Sequence, residues 1–182
     1  MGGTPQASRI HFIQGDITQW VGDAIVNAAN EAMLGGGGVD GAIHSAAGPG
    51  LKAACEAVSE ASPGVRCPTG EARITSASGR LKCKWVIHTV GPIYTGVPTD
   101  PAQLRAAYDA VFSLAVQHRI RRIALPAVSC GVYGYPLDEA ATIAVAAAVD
   151  APNLIEEITF VLFNDETYGA WHRALSMANS RG

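Results

Sequence analysis

The sequence has no apolar run long enough to cross a bilayer, so no membrane-spanning segment and no membrane partner are expected. Met1–Ser8 lacks a charged start followed by an apolar stretch and does not read as a secretory signal. Cysteine is sparse: Cys55, Cys67, Cys83 and Cys130 are scattered, with no C-x-x-C pair. That spacing argues against a zinc site, and reduced thiols in the cytoplasm are the expectation. No G-x-x-x-x-G-K-[ST] occurs, which excludes a P-loop. No G-x-G-x-x-G follows the first expected strand, which counts against an NAD-dependent redox enzyme of the ordinary dinucleotide-binding kind. Charge is low at 16% of residues, and 13 Lys+Arg against 16 Asp+Glu leave a net −3. This balance argues against a domain that holds nucleic-acid phosphates. No repeat, low-complexity tract or linker divides the 182 residues. One domain is expected over residues 9–178, between a flexible tail at 1–8 and a C-terminal tail at 179–182.

What is present is a 48% hydrophobic composition rich in small residues, as in a packed α/β domain. Strands are expected at Arg9–Gln14, Ala24–Asn27, Glu71–Ser76, Trp85–Val90, Ile123–Val128 and Ile158–Phe163. Helices are expected at Val39–Ala47, Gly50–Val58, Pro101–His118, Leu137–Val149 and Thr167–Ala178. The alternation implies a sheet with helices on both faces. The strands near Arg73 and Trp85 have no helix between them, so a hairpin there would make the sheet mixed.

In such sheets ligands bind beyond the carboxyl ends of strands, and the unusual residues cluster at those expected ends. Gly35, Gly36, Gly37 and Gly38 precede a helix, and Ser129, Cys130, Gly131, Val132 and Tyr133 form a second turn before another. A glycine run lets backbone N–H groups converge on an anion, and a helix N-terminus adds its dipole. The alternative is a flexible loop. Two such loops suit a diphosphate. Asp16 suits either an exocyclic amine or ribose hydroxyl, or a helix cap. Phe163 is either a base-stacking platform or core. Asn27 and Asn30 can orient a sugar or a water, or serve turns. Asp40 either complements the helix dipole or activates water beside the phosphates. His44 lies one turn after Asp40 on the same face and is either a support behind the site or, the reading preferred, a surface helix histidine. His88 is expected to be a satisfied core histidine. No base near Cys130 is evident, which argues against a thiol nucleophile.

These motifs together resemble a macrodomain. GDIT at Gly15–Thr18, DAIVNAAN at Asp23–Asn30, GGGGVDGAIHSAAG at Gly35–Gly48, CPTGEA at Cys67–Ala72, VIHTVGP at Val86–Pro92 and GVYGYP at Gly131–Pro136 occur in the family's order. The NAAN and GGGGVDGAIH segments are most similar to the MacroD-type branch, which includes bacterial O-acetyl-ADP-ribose deacetylases and mono-ADP-ribosyl hydrolases. The resemblance implies a three-layer α/β/α fold with a mixed central sheet and an ADP-ribose cleft across the strand ends. It implies that Asp16 accepts from the adenine amine, with Ile17 adding a backbone contact and Phe163 packing on the base. It implies a first phosphate and distal-ribose loop at Gly35–Val39 and a second at Ser129–Tyr133. Asn27 and Asn30 would orient the distal ribose, with Asn30 and Asp40 carrying the chemistry. Two departures stand out. Ser129-Cys130-Gly131 replaces a frequent Ser-Thr-Gly, and Phe163-Asn164 replaces a frequent Tyr-Asp. The added Cys/His set of the zinc-dependent branch is not found.

The resulting expectation is an ADP-ribosyl ester hydrolase with no cofactor and no metal. Its partners would be ADP-ribose, proteins mono-ADP-ribosylated on Glu or Asp, and O-acetyl-ADP-ribose. The competing classes are a reader that binds ADP-ribose without cleavage and, less in keeping with the charge, a nucleic-acid binder.

Overall fold

The computed structural model describes residues 6–181. Among the described residues six strands and five α-helices follow in chain order: β1 (Ile10–Gln14), β2 (Ala24–Ala28), α1 (Gly38–Ala47), α2 (Pro49–Glu56), β3 (Ala72–Ser76), β4 (Trp85–Thr89), α3 (Asp100–Gln117), β5 (Arg122–Leu125), α4 (Leu137–Asp150), β6 (Glu157–Leu162) and α5 (Asp165–Ser180). Of the expected tail at 1–8, residues 1–5 lie outside the described residues, and Gln6–Arg9 is a 3-10 helix. At the other end α5 continues through Asn179 and Ser180, into the expected tail, and Gly182 lies outside the described residues.

The strand order is β1-β6-β5-β2-β4-β3. Every neighbouring pair is parallel except β3 with β4, whose antiparallel hairpin makes the sheet mixed. Two hydrophobic clusters cover the two faces. Ile25, Val86 and Ala124 pack with Ile43, Leu51 and Cys55 of α1 and α2. Ile87, Ile123 and Phe160 pack with residues of α3, α4 and α5, including Tyr108, Val145 and Trp171. The result is three layers, α/β/α.

The expected ends of β5 and β6 move inward, each for a local reason. β5 stops at Leu125 because Pro126 has no N–H to give the ladder. β6 stops at Leu162, and Phe163 leaves the sheet just before Asn164 caps α5 by accepting from Thr167 N at 2.9 Å. Because five strands run parallel, the loops after β1, β2, β4, β5 and β6 all leave the same edge. α1 follows β2 onto one face and α4 follows β5 onto the other. The chain therefore parts between two adjacent strands, the arrangement that opens a crevice at a sheet edge.

Candidate active site

The edge carries the singled-out residues in two groups. At the β1–β6 end, Gly15 N donates to Leu162 O at 3.3 Å, so Asp16 and Phe163 leave neighbouring strands side by side. Asp16 Oδ1 accepts from Thr18 N at 2.9 Å and Thr18 Oγ1 at 2.7 Å, capping the 3-10 turn Ile17–Gln19. That one oxygen fills the cap role, while the side chain as a whole stays exposed. Ile17 turns inward and is buried. Phe163 is 91% exposed, which decides against a core role.

The second group gathers between β2 and β5. After β2 the chain makes a tight turn in which Met33 N donates to Asn30 Oδ1 at 3.1 Å. Asn30 Nδ2 reaches Gly35 O, also at 3.1 Å, and so pins the start of the glycine run. Gly35 and Gly38 have φ of 100° and 58°, the left-handed region that glycine adopts without strain. Gly37 and Gly38 face open space. A Cβ at Gly36 would stand 3.0 Å from Asp40 Oδ2 and 3.3 Å from Asn30 Nδ2. A side chain at 36 would thus crowd both Asn30 and Asp40. Val39, half-buried, sits in the first turn of α1, whose N-cap Gly37 supplies no side-chain bond. The N–H groups of that turn face the loop with the helix dipole behind them.

Asp40 is 5% exposed. Its Oδ1 accepts from Asn27 Nδ2 at 2.7 Å and lies 3.4 Å from His44 Nε2. His44 is therefore not the surface histidine expected from its place on a helix. The α1 face it shares with Asp40 is turned onto the sheet, and its side chain is 13% exposed. Asn27 is wholly buried beneath α1, with its amide on Asp40 and on His88 Nδ1 at 3.1 Å. It was expected to orient a sugar, and here it orients the carboxylate. His88 is the buried histidine expected, and burial followed by the charge of His44 pushes its imidazole down to about 3.

The loop after β5 closes the other side. Ser129 has φ of 68°, and its Oγ donates to Pro92 O at 2.8 Å. Tyr94 N donates to Tyr133 O at 2.9 Å, and Gly134 N to Gly131 O at 3.0 Å. Gly131 and Val132 are exposed, Val132 completely. The Tyr133 phenol is pushed up by burial and then by the charges of Glu31 and Asp40. Burial raises the Cys130 thiol to about 12, so it stays protonated at neutral pH and is a poor nucleophile.

Sequence reasoning passed over two glycines that shape the site. A Cβ at Gly41 would meet Gly36 O at 2.6 Å, and one at Gly91 would meet Ser129 Oγ at 2.2 Å. The signal for Gly41 was its position in a helix, where glycine is unfavourable and implies a close approach.

A Macro domain family model matches residues 26–144. A macro domain-containing protein of Xanthomonas campestris is 53% identical over 172 residues, covering 92% of this chain and 96% of that one. A Salmonella gallinarum protein named O-acetyl-ADP-ribose deacetylase is 48% identical over 173 residues, covering 93% and 95%. Among solved structures, an Oceanobacillus iheyensis macrodomain with ADP superposes with a TM-score of 0.87 at 38% identity, covering 94% of this chain and 92% of that one.

Proposed function

Because the chain belongs to the macrodomain family, we propose that it binds ADP-ribose and hydrolyses ADP-ribosyl esters. The substrates are mono-ADP-ribose carried on Glu or Asp side chains of proteins, and O-acetyl-ADP-ribose. The adenine sits between Asp16 and Phe163, with the Ile17 backbone alongside. The diphosphate crosses from there to the N–H groups of Gly35–Val39 and Ser129–Tyr133. The distal ribose and its ester then lie over Asn30 and Asp40.

The observation that carries this reading is the convergence of Asp40 Oδ2 and the Asn30 amide on Gly36, where even a Cβ would stand only 3.0 Å and 3.3 Å from them. Asp40 has one oxygen tied to Asn27, which leaves the second for a water molecule. In the reaction water adds, the ester bond breaks, and the products are ADP-ribose and the free carboxylic acid. Asp40 holds the water and takes its proton, a role typically worth about 10²–10⁴-fold in rate. Asn30 fixes the glycine loop through Gly35 O and so sets the ribose against that water. The relatives named for a deacetylase and solved with ADP are consistent with this assignment.

The test is release of ADP-ribose from a protein mono-ADP-ribosylated on glutamate. Wild type and Asp40→Ala are run together, with ADP-ribose binding measured on both. Wild type is expected to release ADP-ribose. The variant is expected to lose about 10²-fold or more in turnover while still binding. Equal loss of binding and turnover would remove Asp40 from the chemistry. Tight binding with no release by wild type would end the reading as a hydrolase of Glu-linked ADP-ribose and put a reader of ADP-ribose first, with O-acetyl-ADP-ribose the next ester to test.

A further inference from the structure

Beneath α1 a polar row runs across three strands, and the reaction as drawn uses only its end. Parallel register sets Asn27 of β2 beside His88 of β4. The β3–β4 hairpin brings Thr75 Oγ1 within 2.9 Å of His88 Nε2, and Cys55 Sγ of α2 lies 3.7 Å from the same nitrogen. The direction of each bond follows from Asp40. A carboxylate only accepts, so Asn27 turns its NH₂ toward Asp40 Oδ1, at 2.7 Å. The same Nδ2 stands 3.1 Å from His88 Nδ1. That ring nitrogen must then accept, and the ring proton must sit on Nε2, where it is donated to Thr75. Reversing the Asn27 amide would set its oxygen against the Asp40 carboxylate.

We propose that His88 is a positioning residue: its Nε2–H tautomer holds the Asn27 amide and, through it, orients the Asp40 carboxylate for hydrolysis. The proposal rests on the hydrolase reading above. A cationic imidazole would put a proton on Nδ1, facing Asn27 Nδ2, and break the row. Burial without a carboxylate partner of its own keeps the ring neutral, and its imidazole lies far below the ordinary value. The orientation costs something, since Asn27 Oδ1 is buried with no hydrogen-bond partner among the described residues. Two good bonds on the nitrogen side are therefore needed to keep the amide turned this way.

The first test needs no substrate. ¹⁵N NMR of histidine-labelled wild type between pH 6 and 8, with His88→Asn to assign the signal, is expected to show His88 protonated at Nε2 and not titrating. A proton on Nδ1 would overturn the proposal. The second test compares His88→Leu, which removes the acceptor, with His88→Asn, whose Oδ1 can stand near the place of Nδ1. His88→Leu is expected to lower kcat about 10- to 100-fold, the range for a misplaced reacting group, with ADP-ribose affinity unchanged. His88→Asn is expected to recover most of that loss. Wild-type kcat in His88→Leu, or no recovery in His88→Asn, would overturn it. If wild type releases no ADP-ribose, the hydrolase reading falls, while the tautomer still decides whether His88 holds Asn27.

Discussion

At the scale of the residue, the neutral state of His88 has a consequence for stability. Its surroundings are Asn27 from β2, Thr75 from β3, Cys55 from α2, and His44 and Asp40 from α1. In the unfolded chain the imidazole protonates near the ordinary 6.5, whereas in the fold it resists protonation down to about 3. Between those values the unfolded state binds the extra proton. Stability from this group is therefore complete above pH 6.5 and is lost as the pH falls toward 3, by up to about 1.4 kcal/mol per pH unit. Denaturant titrations at several pH values across this window should show a shallower acid loss in His88→Leu than in wild type. Identical pH slopes would mean that His88 is not kept neutral by the fold. Asp40, Asn30 and the glycine run could be singled out from the sequence because they gather just after an expected strand, in the order of the family's motifs. The hydrogen-bond direction of Asn27 could not be read there, because it depends on a strand 61 residues further along the chain.

At the scale of the element, α1 and the glycine loop before it act as one unit. Alanine normally stabilises a helix by about 1 kcal/mol relative to glycine. At Gly41 the added Cβ would instead press on Gly36 O, a backbone atom that cannot move without shifting the space beside Asp40. Overpacking of this kind costs about 1–3 kcal/mol, so the clash outweighs the propensity gain. Gly41→Ala is thus expected to lower the melting temperature and weaken ADP-ribose binding together, as calorimetry would show. A stabilised variant with wild-type affinity would mean the loop and helix are not locked. Most element positions were readable from periodicity and turn residues. The misplaced ends at β5 and β6 were not, because Pro126 and the Asn164 cap end a strand more sharply than the apolar run does.

At the scale of the whole molecule, the sheet separates an edge tied by Arg9 from the edge that carries the candidate site. Arg9 enters at the amino end of β1, and its guanidinium donates to Pro152 O at 2.8 Å, Ile155 O at 2.7 Å and Ala148 O at 3.2 Å, and also to Ala151 O. It thereby satisfies carbonyls at the end of α4 and in the turn that follows, where a cation also meets the negative end of the helix dipole. The singled-out residues leave the opposite edge. Arg9→Met should lower unfolding stability by at least about 1.5–3 kcal/mol, the worth of one hydrogen bond to a charged group, and leave ADP-ribose affinity unchanged. Chemical denaturation and a binding titration on one preparation would check both halves. A fall in affinity would show that the two edges are coupled. Among the described residues no helix is long and apolar enough to cross a membrane.

The sequence alone determined the α/β class, the alternation of elements, the mixed hairpin, the family resemblance and the residues that flank the crevice. These are carried by local patterns: period, caps, glycine runs and motif order. Only the tertiary structure decided the strand order, the burial of His44, the exposure of Phe163, the turn of Asn27 onto Asp40, and the need for glycine at 41 and 91. Each of these depends on which distant segments meet, and strand register and helix packing set those meetings once the chain has folded.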